Sequence, residues 1–407
     1  MRGAGPSPTR RAYTRVTDKP AERHGPRVAK TASTRNPRIE ALRLVAAASI
    51  AVFHTFMPWF EELTSGFGSG QYIIDNSVTC TALGFIDQLG AFGNNVFFLI
   101  SGLFLIPACA RASVDAGYWG AQARKTLRRA GALLASVALY TAAVLVLSAT
   151  VLPIEDFGLT ELPAILADLE FIWVYLLFIV LAPAIGWAWR RAKRPWLVVC
   201  ALFVAVFCAN GYIAFIDPGE LDRGLLDWRK LMSAATYLVA FLTGGLLAKA
   251  SLSRRRAGAL LAASVGLTVA VEAALAVTQQ MDLMYATSFK STSILAFAMA
   301  AASVLWAKHG AVGDGKAAEV NADGPVSRTV CRLAKSVLGF YILQALTSPL
   351  WNEWFYDALV AVYDTPGNTS YQVCAAGIGL SLLLLAGCLA IDQLARLPLF
   401  RKLGLAK

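Results

Sequence analysis

Ten stretches of about twenty mostly apolar residues recur along the chain, near 39–58, 91–110, 130–152, 171–189, 196–216, 231–249, 257–278, 291–308, 335–356 and 371–391. A bilayer's hydrocarbon core is about 30 Å thick and an α-helix rises about 1.5 Å per residue, so segments of this length span it. Backbone groups in hydrocarbon must bond internally, which leaves helices as the only spans of this kind. The pattern predicts an all-α, polytopic transmembrane helix bundle of about ten spans.

Charge placement excludes the main competitor. The chain of 407 residues is only 15% charged yet carries a net charge of +11, which by itself invites a nucleic-acid partner. Residues 1–43 hold 11 Lys and Arg against Asp18, Glu22 and Glu40, so this stretch supplies +8 of the +11. Such a leader, with almost no apolar residues, buries too little surface to fold alone. We read 1–37 as a disordered basic cytoplasmic arm, 38–395 as a membrane domain interrupted by a Gly/Ala-rich cytoplasmic linker at about 309–334, and 396–407 as a basic cytoplasmic tail. Membrane lipid, not nucleic acid, is the expected partner. The first apolar run is long enough to span, so it reads as a retained helix and not a cleaved signal peptide. The seven cysteines show neither a disulfide framework nor a CxxC pair, and no metal site is expected.

Cytoplasmic loops retain Lys and Arg. The stretches 59–90 and 153–170 hold Glu61, Glu62, Asp75, Asp87, Glu155, Asp156, Glu161, Asp168 and Glu170 without one Lys or Arg. The alternate loops carry Arg124, Lys125, Arg128 and Arg129, then Arg190, Arg191, Lys193 and Arg194, then Arg254, Arg255 and Arg256. Both termini are therefore expected inside. The loop 217–230 mixes Arg223, Arg229 and Lys230 with Asp217, Glu220, Asp222 and Asp227, which fits either a solvated loop or the edge of an acceptor site.

Of three histidines, only His54 falls within a predicted span. An ionisable group there reads either as a functional residue or as hydrogen-bonding glue between helices. Arg43 precedes it by eleven residues, three turns plus about 20°, so both share one helix face about 16 Å apart. Measured from Ile39, His54 lies about 22 Å into a core of about 30 Å, toward the outer side. An imidazole suits general-base work on a hydroxyl, and a guanidinium at the inner end suits a phosphate. For Arg43 alone, anchoring by snorkelling is the plainer reading. Glu40, one turn before Arg43, is placed to orient it.

The stretch RIEALRLVAAASIAVFHTF, Arg38 to Phe56, resembles the first helix of the acyltransferase-3 family of integral membrane acyltransferases, whose hallmark is an arginine and a histidine with ten residues between them. Arg43 and His54 hold those positions, with Glu40 where the family commonly has Asp. NNVFFLISGLFL (94–105), FIWVYLLFIVLAP (171–183) and YLVAFLTGGLLA (237–248) follow in the family's order, and ARKTLRR (123–129) loosely matches its cytoplasmic Arg-x-x-Arg motif. Gly339, Tyr341 and Gln344 fill a late Gly-x-Tyr-x-x-His pattern, with an amide that cannot relay a proton replacing the imidazole.

The resemblance implies an O-acyltransferase that moves an acyl group, usually acetyl, from cytoplasmic acyl-CoA to a hydroxyl of a carbohydrate. The acceptor would be a surface polysaccharide or lipid-linked glycan of a bacterial cell envelope, with the enzyme in the inner or plasma membrane. His54, Arg43 and Glu40 would be catalytic; Arg38, Arg124, Lys125, Arg128, Ser101, Tyr341 and Gln344 would bind donor or acceptor. Acetyl-CoA would be a co-substrate, with no permanently bound cofactor. For Ser101, helix packing is the plainer use of a small residue. The competing class is a proton-coupled transporter or flippase, for which inverted repeats are the sign; the chain shows no convincing internal repeat.

Overall fold

The computed structural model describes residues 36–73, 76–154, 157–216, 228–309 and 324–405. The basic arm and most of the mixed-charge loop 217–230 fall outside them. Fifteen α-helices follow in order: α1 Pro37–Ser65, α2 Ser77–Ala112, α3 Tyr118–Thr150, α4 Leu162–Ala167, α5 Glu170–Arg191, α6 Pro195–Phe215, α7 Trp228–Leu247 and α8 Arg254–Val277. After these come α9 Met281–Ser288, α10 Ile294–Lys308, α11 Pro325–Leu333, α12 Val337–Leu346, α13 Ser348–Asp364, α14 Ser370–Leu394 and α15 Arg396–Lys402. Among the described residues there is no strand. Eight helical stretches are long and apolar enough to cross a membrane, and Leu231–Leu247 and Ile294–Lys308 are two shorter apolar helices. The helical, polytopic architecture is the expected one.

Element boundaries depart from the hydropathy reading where polar residues continue a helix. α1 runs to Ser65, and α2 begins at Ser77. Glu61, Glu62 and Asp87 are therefore helical and not loop residues, and Asp87 is buried. The ninth span breaks at Thr347 into α12 and α13, with Pro349 in the first turn of α13, where its missing N–H closes no bond back to α12. Residues 325–333, read from sequence as linker, form α11. Arg396, read as the start of a free tail, is buried in a pair with Asp392 (Nε to Oδ1 2.6 Å).

α2 is the hub, packing against α1, α5, α7, α8 and α10. Its contact with α7 depends on glycines on both helices: a Cβ on Gly102 would lie 1.7 Å from the Phe241 carbonyl oxygen, and one on Gly244 would lie 2.1 Å from that of Leu99. Absent side chains let the backbones touch, as in other close membrane-helix crossings. α6 and α8 instead expose most of their apolar surface, including Val198, Val204, Leu260 and Leu267, as lipid-facing helices do.

Cross-helix bonds define two ends. At one, Arg38 donates to the His309 carbonyl, Lys308 donates to the Leu247 and Ala250 carbonyls, and Arg396 donates to that of Lys335. At the other, Asn76 donates to Ser370 at 3.0 Å and Tyr356 to Glu62 at 2.7 Å. α1 runs from the first, basic end to the second.

Candidate active site

α1 starts cleanly because Asn36 caps it, its side chain accepting from the Arg38 amide at 3.0 Å, with Pro37 at the first helical position. Gly66 ends it in the left-handed conformation, φ 72°, where a side chain would be strained. One turn in, Arg43 Nη1 donates to both carboxylate oxygens of the buried Glu40, at 3.0 and 3.1 Å. The guanidinium stays partly exposed, with most of its donors unused. Glu40 thus fixes a cation at the basic end.

Between Arg43 and His54, the same face of α1 carries Ala47 and Ile50, both buried in one core cluster with Val137 and Tyr140 of α3 and with Phe340, Tyr341 and Leu343 of α12. The face is turned into the bundle and not toward lipid. This inward direction distinguishes Arg43 from an ordinary snorkelling anchor.

His54 is held through its neighbours. Phe53 packs over Gly90 of α2, where a Cβ would lie 2.6 Å from the ring, and meets the imidazole edge-to-face at 4.9 Å. On the other side Ser381 of α14 donates to Thr55 Oγ1 at 2.9 Å, and Phe56 fills the space over Gly377. Pro58 has no N–H, so the His54 carbonyl, four residues earlier, lacks its helical donor. The imidazole itself is partly exposed and makes no hydrogen bond among the described residues.

Tyr341 stacks on Phe171 at 4.4 Å and 5°, meets Phe97 edge-on at 5.0 Å, and buries a hydroxyl that has no partner. Gln344, one turn on, is buried; its carbonyl accepts from Trp351 Nε1 at 3.2 Å, while its carboxamide makes no hydrogen bond among the described residues. Ser101 is half-buried and likewise unbonded, beside the Gly102 crossing. Arg124, Lys125 and Arg128 are exposed on α3, with no hydrogen bond or ion pair among the described residues, and the structure does not join them to Arg43. Arg38 is turned to His309.

Several polar residues inside the bundle are given no role by the sequence reading, although Asn94, Asn95 and Tyr237 fall within its quoted motifs. Asn94 donates to Tyr237 Oη at 3.0 Å, which is also hydrogen-bonded to Ser291 Oγ at 2.5 Å. Both side-chain atoms of Asn95 are buried without partners. Gln88 donates to the buried Glu272 at 2.8 Å and accepts from Ser293 at 2.6 Å. Glu272, a lone acid in an apolar run, was the one visible signal.

The sequence model of a family described as an acyltransferase domain, acyltransferase 3, matches residues 36–391, which takes in every element of this site. The chain belongs to the acyltransferase-3 family. It is a multi-pass membrane acyltransferase. No curated protein and no solved structure matches it. In this acyltransferase the Arg43 and His54 pair lies on an inward face, with Tyr341 and Gln344 on the helix opposite.

Proposed function

We propose that this acyltransferase carries an acetyl group from cytoplasmic acyl-CoA to a hydroxyl of a carbohydrate acceptor, a cell-surface polysaccharide or lipid-linked glycan, presented at the other face of the inner or plasma membrane. One observation carries the reading: a cation oriented by a carboxylate at the basic end and an unengaged imidazole share the buried face of α1, about 16 Å apart. The basic end faces the cytoplasm, since positive charge is retained there, and both termini lie on that side.

Arg43 binds donor phosphate through the guanidinium donors that Glu40 leaves free, with the exposed Arg124, Lys125 and Arg128 adding attraction and the first turn's Arg38 a further donor. Ala47 and Ile50 are packed against α3 and α12, so these helices part from α1 to admit the donor's extended thioester arm between Arg43 and His54. The acceptor hydroxyl gives its proton to the imidazole as its oxygen attacks the thioester carbon. The C–S bond breaks, the thiolate leaves, and the imidazolium returns the proton to sulfur. The Tyr341 hydroxyl and the Gln344 amide, both without protein partners, are available to orient acceptor or thioester. Ser101, next to Gly102, serves the helix crossing.

The test is acyl transfer by the purified protein from labelled acetyl-CoA to a panel of glycans. The reading requires transfer by the wild type and none by His54→Ala in protein that inserts normally; a His54→Ala variant that still transfers would refute it.

A further inference from the structure

At the end of the bundle opposite Arg43 lies a cavity of about 440 Å³, lined by Tyr72, Ile73, Asn76, Tyr363, Asn368, Thr369 and Ser370. That volume falls in the range of small-ligand pockets. Among the described residues that line it, none is charged. Two tyrosine rings, two amides and two hydroxyls instead face one space, a set suited to the alternating apolar faces and hydroxyl edges of a sugar ring.

The walls are fixed before any ligand arrives. Asn76 caps α2 by accepting from the Thr79 amide at 3.1 Å and donates to Ser370 at 3.0 Å, while Thr79 donates to the same Ser370 oxygen at 2.9 Å. Asn368 donates to the Val362 carbonyl at 2.8 Å, which leaves its own amide oxygen free to accept. Tyr72 is 66% exposed, an aromatic face with nothing stacked on it. Tyr363 packs on Trp59 at 6.2 Å, and Trp59 lies five residues beyond His54 on α1. The cavity is thus tied through Trp59 to the helix that carries the candidate base, about 7.5 Å further along its axis.

We propose that this cavity is a distal acceptor subsite that binds an uncharged sugar unit of the acceptor, holding the chain while a different unit presents its hydroxyl to His54. The proposal rests on the carbohydrate-acceptor reading above and adds where, and by which groups, the acceptor is gripped. Specificity for a chain over a single sugar follows from it.

The test is calorimetric titration of the purified full-length protein, without acyl donor, using neutral trisaccharides of glucose, N-acetylglucosamine, galactose or mannose, and a hexuronic acid trisaccharide. At least one neutral trisaccharide binds saturably. Tyr72→Ala and Asn368→Ala weaken it by about five- to tenfold, the loss of one stacking or hydrogen-bonding contact, while Tyr72→Phe stays within about twofold. Tyr72 is exposed, so its loss leaves the core intact, and unchanged melting of each variant checks this. Binding by the acidic trisaccharide alone, no binding by any neutral one, or binding indifferent to Tyr72→Ala and Asn368→Ala overturns the subsite. A sugar that binds here but is never acylated leaves the subsite standing and defeats the acceptor reading. Acylation of a glycan indifferent to both variants does the reverse.

Discussion

The Ser381 hydroxyl of α14 donates to Thr55 Oγ1 of α1 at 2.9 Å, tying the residue next to His54 to a helix more than three hundred positions away. The Gly377 carbonyl, 2.6 Å away, is a second acceptor for the same hydroxyl hydrogen, which holds the Ser381 oxygen between α14 and α1. The placement of His54 is therefore a property of the α1–α14 contact as much as of α1.

Weakening that contact lowers activity without touching the imidazole. Ser381→Ala removes a hydrogen bond worth about 1 kcal/mol and reduces acyl transfer several-fold. Gly377→Ala places a Cβ 2.2 Å from the Phe56 ring, so α14 and α1 separate and the loss is larger. Initial rates on protein of equal purity and insertion give the ranking; equal rates for both variants and wild type would show that α14 does not position His54.

At the other end, Glu40→Gln leaves Arg43 without its charged partner and raises KM for acyl-CoA by about three- to tenfold, as loss of a charge-assisted bond predicts. Arg43→Lys loses the planar fork and raises it further. Steady-state kinetics at varied acyl-CoA checks both, and an unchanged KM in Arg43→Lys would remove Arg43 from the donor site.

The first helix was legible because a period of 3.6 residues projects Glu40, Arg43 and His54 onto one face whatever surrounds it. That this face points inward was not legible, since Ala47 and Ile50 suit lipid and protein equally. Span boundaries failed where hydropathy averaged over Glu61, Glu62 and Asp87, which the bundle accommodates on helices. Contacts such as Gly377 with Phe56, or Ser381 with Thr55, depend on which helices become neighbours, and no local pattern records that. The Arg396 side chain read as one more basic residue because its partner, Asp392, is the only acid in the last span.

That pair forms the next prediction. Asp392 accepts from Arg396 at 2.6 and 3.0 Å and from Tyr140 at 2.6 Å, and Gly339 makes room for its carboxylate. Asp392→Ala leaves a buried guanidinium and phenol without their acceptor and destabilises the protein by about 3–5 kcal/mol. Thermal unfolding in detergent reads this as a large fall in Tm; a change of a degree or two would mean that water replaces the carboxylate.

Two glycines separate crowding from propensity. Gly102→Ala drives a Cβ into the Phe241 carbonyl and lowers stability by at least about 1–3 kcal/mol, whereas Gly131→Ala on α3 meets nothing within 4 Å and stabilises by about 0.5–1 kcal/mol. Paired melting curves give opposite signs, and matching shifts would contradict the close α2–α7 crossing.

The most direct test is single-residue replacement of His54 in purified, membrane-reconstituted protein supplied with labelled acetyl-CoA and acceptor glycan. General-base catalysis contributes about 10²–10⁴-fold, so His54→Ala and His54→Gln are predicted to lose at least a hundredfold in acyl transfer while insertion and Tm stay at wild-type values. Transfer retained within a few-fold of wild type in either variant would contradict the account.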